Sequence, residues 1–324
     1  AFQTFGMPFI LLSGFFLSGL EASPGQTELV TQSVVLLGIG FAFILAVVPF
    51  HTWVPMLTEE SNPYSVAYVL FILTGMVSLF GLGFFDRFVW LRDSESAYLL
   101  LRLVGSIMVL VSGVWAAVEE DWGRMLGYYI IAETGFSLMA IGMHSPQGIL
   151  IFFWFIVVRF FSLLFWAGGM SITKERTNGN LNLKSLAGFG HQRPLLVGGA
   201  LAAQLSIIGT PFLASYPARF ALWQQLSMID AASAGIALIG NIGLLAAGLR
   251  VLNTLFIPLS DETRTQGRSL IDIFSPAGKL VSERVSNWLL LGFVMGILVL
   301  VGLFPRLFLP WIENFLLMFS QIGS

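Results

Sequence analysis

The chain is a succession of apolar runs, each about as long as a bilayer core is thick, and this constrains it more than any motif. The runs are 4–20, 30–48, 64–84, 99–118, 124–143, 147–172, 195–228, 232–256 and 288–304, with a shorter apolar piece at 306–319. A helix needs ~20 mostly apolar residues to cross a hydrocarbon core ~30 Å thick. Lipid admits only helices and closed barrels, and these runs are too long and too uniformly apolar for alternating barrel strands. Charged residues make up 10% of the chain, against ~25% in soluble domains, too few for a solvated surface all round. The expectation is an all-α polytopic membrane protein with roughly nine to ten transmembrane helices, two of them discontinuous.

Several function classes are excluded at this level. The net charge of −2 comes without any basic patch interleaved with aromatics, so nucleic acid is not a partner. No cysteine is present, which removes disulfides, thiolate metal sites and cysteine-bound iron–sulfur clusters from this chain. His51, His144 and His191 are scattered, and no metal site is expected. There is no nucleotide loop, no nucleophile elbow and no paired-carboxylate hydrolase site, so no catalytic residue is assigned. Ala1–Leu20 lacks a basic n-region and a small-residue cleavage site, so it reads as an apolar helix with sequence expected upstream rather than a signal peptide.

Two runs are interrupted in a similar way. Val34–Val48 meets Pro49-Phe50-His51-Thr52-Trp53-Val54-Pro55, and Leu195–Ile208 meets Gly209-Thr210-Pro211-Phe212. Proline removes a backbone donor, and a break at membrane depth survives only where protein or water satisfies the freed groups. A matched pair of interrupted segments points to a transport site between internal repeats, although proline also kinks membrane helices without functional consequence.

These same residues carry a family resemblance. Val48-Pro49-Phe50-His51-Thr52-Trp53-Val54-Pro55, then Arg124-Met125-Leu126-Gly127-Tyr128 with Glu133-Thr134-Gly135-Phe136, then Leu205-Ser206-Ile207-Ile208-Gly209-Thr210-Pro211 with Ala218-Arg219-Phe220, occur in the order and spacing of one family. The chain resembles the antiporter-like membrane subunits of respiratory complex I and their relatives, the Mrp antiporters and membrane-bound hydrogenases. The ending Val301-Gly302-Leu303-Phe304-Pro305 is similar to the quinone-proximal members. The resemblance implies two inverted five-helix repeats within about fourteen helices, of which this chain supplies helices six to fourteen. On that template 1–143 is the remainder of the first repeat and the start of the second, 144–304 is the second repeat, and 305–324 is a C-terminal interfacial segment.

The resemblance also implies partners and cofactors. Other membrane-arm subunits would surround this one, and a separate chain is one source of the missing helices. NADH, flavin, iron–sulfur clusters and quinone would sit in partner subunits, with none in this chain. The family's titratable lysines fall on Ile44 and Met76, its central histidine on Glu133, the basic group of the next helix on Arg159, and the terminal lysine or glutamate on Arg219. His51 inherits an implied role in the proton axis; the alternative is a histidine that caps freed carbonyls at the break.

Glu133, Arg159 and Arg219 are the ionisable residues at membrane depth, whereas Arg102, Arg124 and Arg250 lie near span ends and can snorkel. Glu133 and Arg159 sit at comparable depth on consecutive spans, which suggests either a charged element on a hydrophilic axis or a salt bridge pinning two helices. Gln204 and Asn241 read as helix–helix hydrogen bonds. The expected function is an antiporter-like membrane-arm subunit of a complex I-type NADH- or ferredoxin-quinone oxidoreductase, contributing to or scaffolding proton translocation. The alternatives are a degenerate, non-conducting subunit of the same arm or an ion-translocating partner of another membrane complex. With apolar side chains at 44 and 76, the first half of the proton path is expected to be interrupted.

Arg124, then Lys174, Arg176, Lys184 and Arg193, then Arg264, Arg268, Lys279 and Arg284 fall in one set of loops, and only Arg87, Arg92 and Arg306 in the other. The positive-inside rule puts loops 119–124, 173–193 and 257–287 on the cytoplasmic or negative side of a bacterial plasma, thylakoid or mitochondrial inner membrane. Loop 257–287 is long enough for a short surface helix. Single cysteines placed at Asn178 and Gln266 should therefore resist an impermeant thiol reagent in intact cells; rapid labelling of both would reverse the orientation.

Overall fold

The computed structural model describes residues 2–22, 27–192, 194–257, 292–293 and 295–316. The first helices are α1 (Phe2–Ala22), α2 (Thr27–Ile44) and α3 (Trp53–Glu60). Next, α4 (Pro63–Leu70) passes through a π-helical turn, Phe71–Met76, into α5 (Val77–Arg87), and the short α6 (Val89–Arg92) follows. The centre of the chain is α7 (Glu95–Val118), α8 (Trp122–Ile141) and α9 (Pro146–Arg176). Beyond these lie α10 (Phe189–Gln192), α11 (Pro194–Ile208), α12 (Tyr216–Ile229) and α13 (Ala231–Leu255), and a last short helix, Leu309–Leu316. Among the described residues, four stretches are long and apolar enough to cross a membrane: Pro63–Arg87, Glu95–Val118, Pro146–Arg176 and Ala231–Leu255. Shorter apolar helices cover Thr4–Leu17, Leu29–Ile44 and Val197–Ile208.

Helix starts follow from local chemistry. Asn62, Ser94, Asp121, Ser145 and Asp230 each accept a hydrogen bond from a backbone amide of the first turn of the helix they precede. Pro63 and Pro146 occupy first-turn positions, where the missing amide costs nothing. Helix ends are closed by cations. Lys174 Nζ donates to the carbonyls of Glu59 (2.6 Å) and Ser61 (3.0 Å), in and just after the last turn of α3. Arg102 donates to the Gly142 carbonyl (2.6 Å), and Arg250 to those of Ala116 and Glu119. The sequence suggested that Arg102 and Arg250 reach outward to water; they turn inward because an unpaired carbonyl and its helix dipole attract the charge more closely than solvent does.

These contacts sort the loops by end. Residues 59–61, 119–124, 174–188 and 250–256 share one end of the bundle. There the strap after α9 pairs with the start of α8 through Trp122 N to Leu181 O (3.0 Å) and Leu183 N to Glu120 O (2.8 Å). Lys184 lies 2.9 Å from Glu120 and holds that carboxyl below its usual range. Gly142–Ser145 and Asp230 lie at the other end, where Arg102 reaches Asp230 at 3.4 Å. Burial pushes the Asp230 carboxyl up, but bonds from Ser233 and Arg102 outweigh it and hold the group low. Most of loop 257–287, with its expected surface helix, lies outside the described residues, as do 317–324.

Helix α8 is the hub. All its residues except Arg124 are buried, between α7, α9, α11, α3 and α13. Glycine permits this density. A Cβ on Gly105 would strike the Gly135 carbonyl of α8, and one on Gly127 would strike the backbone of Pro55 in α3. At the crossing of α7 and α13, Gly113 lies directly on the backbone of Gly240, and Gly243 on that of Gly113. Small residues at such crossings let two membrane helices approach closely. The Leu309–Leu316 helix packs against α9 with Ile312 buried.

Gly113→Val should cost at least the ~1–3 kcal/mol of an overpacked core site, because backbone cannot yield as a side chain can. The check is thermal unfolding in detergent, with Gly14→Val, where no atom lies within 4 Å of the added Cβ, as the tolerated control.

Candidate functional site

The polar residues of α8 form a stripe at helical spacing: Tyr129, Glu133 and Ser137. No face of α8 meets lipid or water, so each must be satisfied by a neighbouring helix. Gln204 of α11 donates to Tyr129 Oη at 2.9 Å and accepts from Trp122 Nε1. Glu133 and Arg159 of α9 form an ion pair, Nε to Oε2 at 2.9 Å, with both residues fully buried. The guanidinium spends its other donors on hydroxyls: Nη1 on Thr74 Oγ1 (2.8 Å) and Nη2 on Ser137 Oγ (3.2 Å). Glu133 Oε1 is buried without a partner.

Arg219 enters the same centre from α12. Its guanidinium lies 3.8 Å from the ring centroid of Phe136 and 5.9 Å from that of Phe155, and it acts electrostatically on Glu133. Nη1 donates to Asn241 Oδ1 (3.1 Å) and Nη2 to the Ile207 carbonyl (2.6 Å). Two arginines thus bear on one carboxylate. Each is held by neutral oxygens and, for Arg219, by aromatic faces as well, which substitute for water around the excess positive charge.

The two interrupted segments differ sharply. At the second, α11 ends at Ile208 and the chain turns through Gly209 (φ +83°), Thr210, Pro211 and Phe212 before α12 begins. Three of the carbonyls freed there take side-chain donors: that of Leu205 from Thr210 Oγ1 (3.1 Å), Ser206 from Ser215 Oγ, and Ile207 from Arg219. Gly209 is required twice, for its left-handed backbone and because a Cβ would collide with the Arg219 stem. At the first, α2 ends at Ile44, Ala46 is left-handed (φ 55°), and Pro49 and Phe50 lie in the turn before α3. Two ring nitrogens, His51 Nδ1 and Trp53 Nε1, are buried there without partners. The His51 ring does lie within hydrogen-bonding reach of the Pro49 backbone, as a histidine capping the break would.

Sequence reasoning brought Glu133, Arg159 and Arg219 together but missed Thr74. The alignment put the family's lysine on Met76, yet Met76 faces outward (43% exposed) while Thr74 is 1% exposed and bonds Arg159. The π turn, whose wider winding holds an extra residue and rotates the register, puts Thr74 on the buried face. The only signal in the sequence was Thr74 and Ser78, hydroxyls four apart in an apolar run. Among the described residues, no three His, Asp or Glu gather to hold a metal.

Removing one member of the ion pair should strand a buried charge. Glu133→Gln and Arg159→Met are each expected to destabilise by ~3–5 kcal/mol, and the double variant by less than their sum. Thermal unfolding of all three variants tests this, and two silent single variants would show that the pair contributes nothing.

Residues 5–245 match the family described as NADH:quinone oxidoreductase/Mrp antiporter, TM. NADH-quinone oxidoreductase subunit N 2 of Acidobacterium capsulatum is 25% identical over 309 residues, covering 90% of this chain and 58% of the relative. The chain thus spans less than two thirds of the length of that curated relative. The fold is similar to a chain of the archaeal membrane-bound sulfane sulfur reductase (TM-score 0.81, 13% identity, 99% of this chain and 64% of that one). It is also similar to a chain of respiratory complex I from Thermus thermophilus (TM-score 0.73, 20% identity, 100% and 68%). With the match running over most of its length and an all-helical fold to suit, the chain belongs to the NADH:quinone oxidoreductase/Mrp antiporter family of transmembrane subunits.

Proposed function

We propose that this chain is an antiporter-like subunit in the membrane arm of a complex I-type assembly, where Glu133 exchanges protons between fixed charges. The observation that carries this is the Glu133 carboxylate, buried at membrane depth with one oxygen bonded to Arg159 and the other unpartnered. Intramembrane carboxylates are costly, and they are retained at ion pathways or as paired structural sites. A relay group must gain and lose a proton within hydrogen-bond or single-water reach of the next. Arginine, protonated throughout the physiological range, shapes such a path without relaying. Electron-carrying cofactors belong to partner subunits. On this reading the two interrupted segments are counterparts in inverted repeats, and the end carrying Lys174 and Lys184 faces the cytoplasmic or negative side.

A second reading, a subunit that fills its place in the arm and conducts nothing, is favoured by Arg219. Its bonds to Ile207 and Asn241 make it the clasp of the second interruption as much as part of a path.

A tagged chain should co-purify from native membranes with flavin- and iron–sulfur-containing subunits; purification alone would favour a stand-alone transporter. In the assembled complex, Glu133→Gln should lower the number of protons moved per electron pair. Arg219→Met should weaken assembly or stability and leave that number unchanged. Full pumping by assembled Glu133→Gln would select the non-conducting reading.

A further inference from the structure

A guanidinium facing a carboxylate ordinarily makes two parallel bonds, one to each oxygen. Arg159 makes only one, from Nε to Glu133 Oε2; one N–H of each terminal nitrogen goes to a hydroxyl instead, and these two anchors set the tilt of the guanidinium. Ser137 Oγ gives its proton to the Glu133 main-chain carbonyl (3.0 Å), so it meets Nη2 as an acceptor. Thr74 Oγ1 gives its proton to the Leu70 carbonyl (2.6 Å), so it too presents a lone pair, to Nη1. Both hydroxyls are thereby fixed in polarity, which a freely rotating alcohol would not be.

Thr74 reaches this position through the π turn. The helix from Pro63 to Arg87 is α-helical on either side of Phe71–Met76, and the turn between holds one extra residue. One residue in an α-helix is a rotation of about 100°. The local widening brings both Thr74 and Ser78 to the buried face, with Met76 on the exposed one. Ser78 in turn donates to the Thr74 carbonyl at 2.5 Å, closing the loosened backbone. π turns of this kind recur at functional sites, where a side chain has to be aimed.

We propose that Thr74 is a positioning residue: it keeps the Arg159–Glu133 pair single-bonded, so that Oε1 of Glu133 stays free to take a water or a proton. The role rests on the reading of Glu133 as the exchanging group. Without the Thr74 hydroxyl one anchor of that tilt is gone, and the guanidinium pivots until a terminal N–H reaches Oε1.

The test compares Thr74→Val, close in shape but without the hydroxyl, with Thr74→Ser, which restores it, in the assembled membrane complex. Infrared difference spectra report the symmetric and asymmetric carboxylate stretches of Glu133, assigned by their loss in Glu133→Gln. Thr74→Val should shift the separation of the two stretches and lower protons per electron pair toward the Glu133→Gln value; Thr74→Ser should restore both. If Thr74→Val does not assemble, Thr74→Cys, with its weak sulfur acceptor, carries the same comparison and should shift both readouts in the same direction. A wild-type spectrum in the assembled Val or Cys variant overturns the positioning role, even where Glu133→Gln abolishes pumping. A shifted spectrum with full pumping in Glu133→Gln leaves Thr74 as a positioning residue and removes Glu133 as the exchanging group.

Discussion

Helix α8 is enclosed on every side, and protein atoms alone must therefore satisfy whatever polar groups it brings into the bundle. This requirement draws Arg159 from α9, Gln204 from α11 and, through Phe136, Arg219 from α12 onto a single helix. It also dictates the glycines, since a helix buried all round can be packed this tightly only if its neighbours approach without side chains in between. The charged centre and the crossings of α7 with α8 and α13 are two outcomes of one condition. A polar stripe has been placed where neither water nor lipid can reach it, and the neighbouring helices had to move in.

The two interruptions share a sequence pattern but resolve the backbone problem differently. At the second, three successive carbonyls each have a side-chain donor, and both Gly209 and Phe212 are left-handed. The first keeps two buried ring nitrogens without partners and puts alanine in the left-handed region, a conformation that non-glycine residues adopt at some cost. One joint is locked by its own side chains, whereas the other is left with unmet hydrogen-bonding capacity.

Much of this was legible in the sequence. The helical runs, both interruptions and the three buried charges follow from apolar periodicity and from the rarity of ionisable residues within it. The pairing of Glu133 with Arg159 followed from their similar depth on consecutive spans. What could not be read was anything that depends on winding. Counting in steps of 3.6 residues along 63–87 gives no warning of a π turn, so Thr74 went unnoticed as a partner of Arg159. Nor could composition show that Arg102 and Arg250 would turn back to helix carbonyls, because snorkelling and capping use the same residues at the same span ends. The split roles of Arg219, on Phe136 and on the Ile207 carbonyl, depend on how α11 and α12 meet across the turn, which no local pattern encodes.

The crossing at Gly113 and Gly240 has a mechanical consequence. Where two helices touch main chain to main chain, no rotamer change can absorb a displacement between them, and close-packed interiors transmit strain rather than damp it. α7 and α13 therefore act as one stiff beam. Through Gly105 and Gly135 the beam also bears on α8, two residues along the helix from Glu133. A push delivered to the outer face of α13 by a neighbouring protein would reach the charged centre as a rigid shift, with compliance left to the joint between α2 and α3.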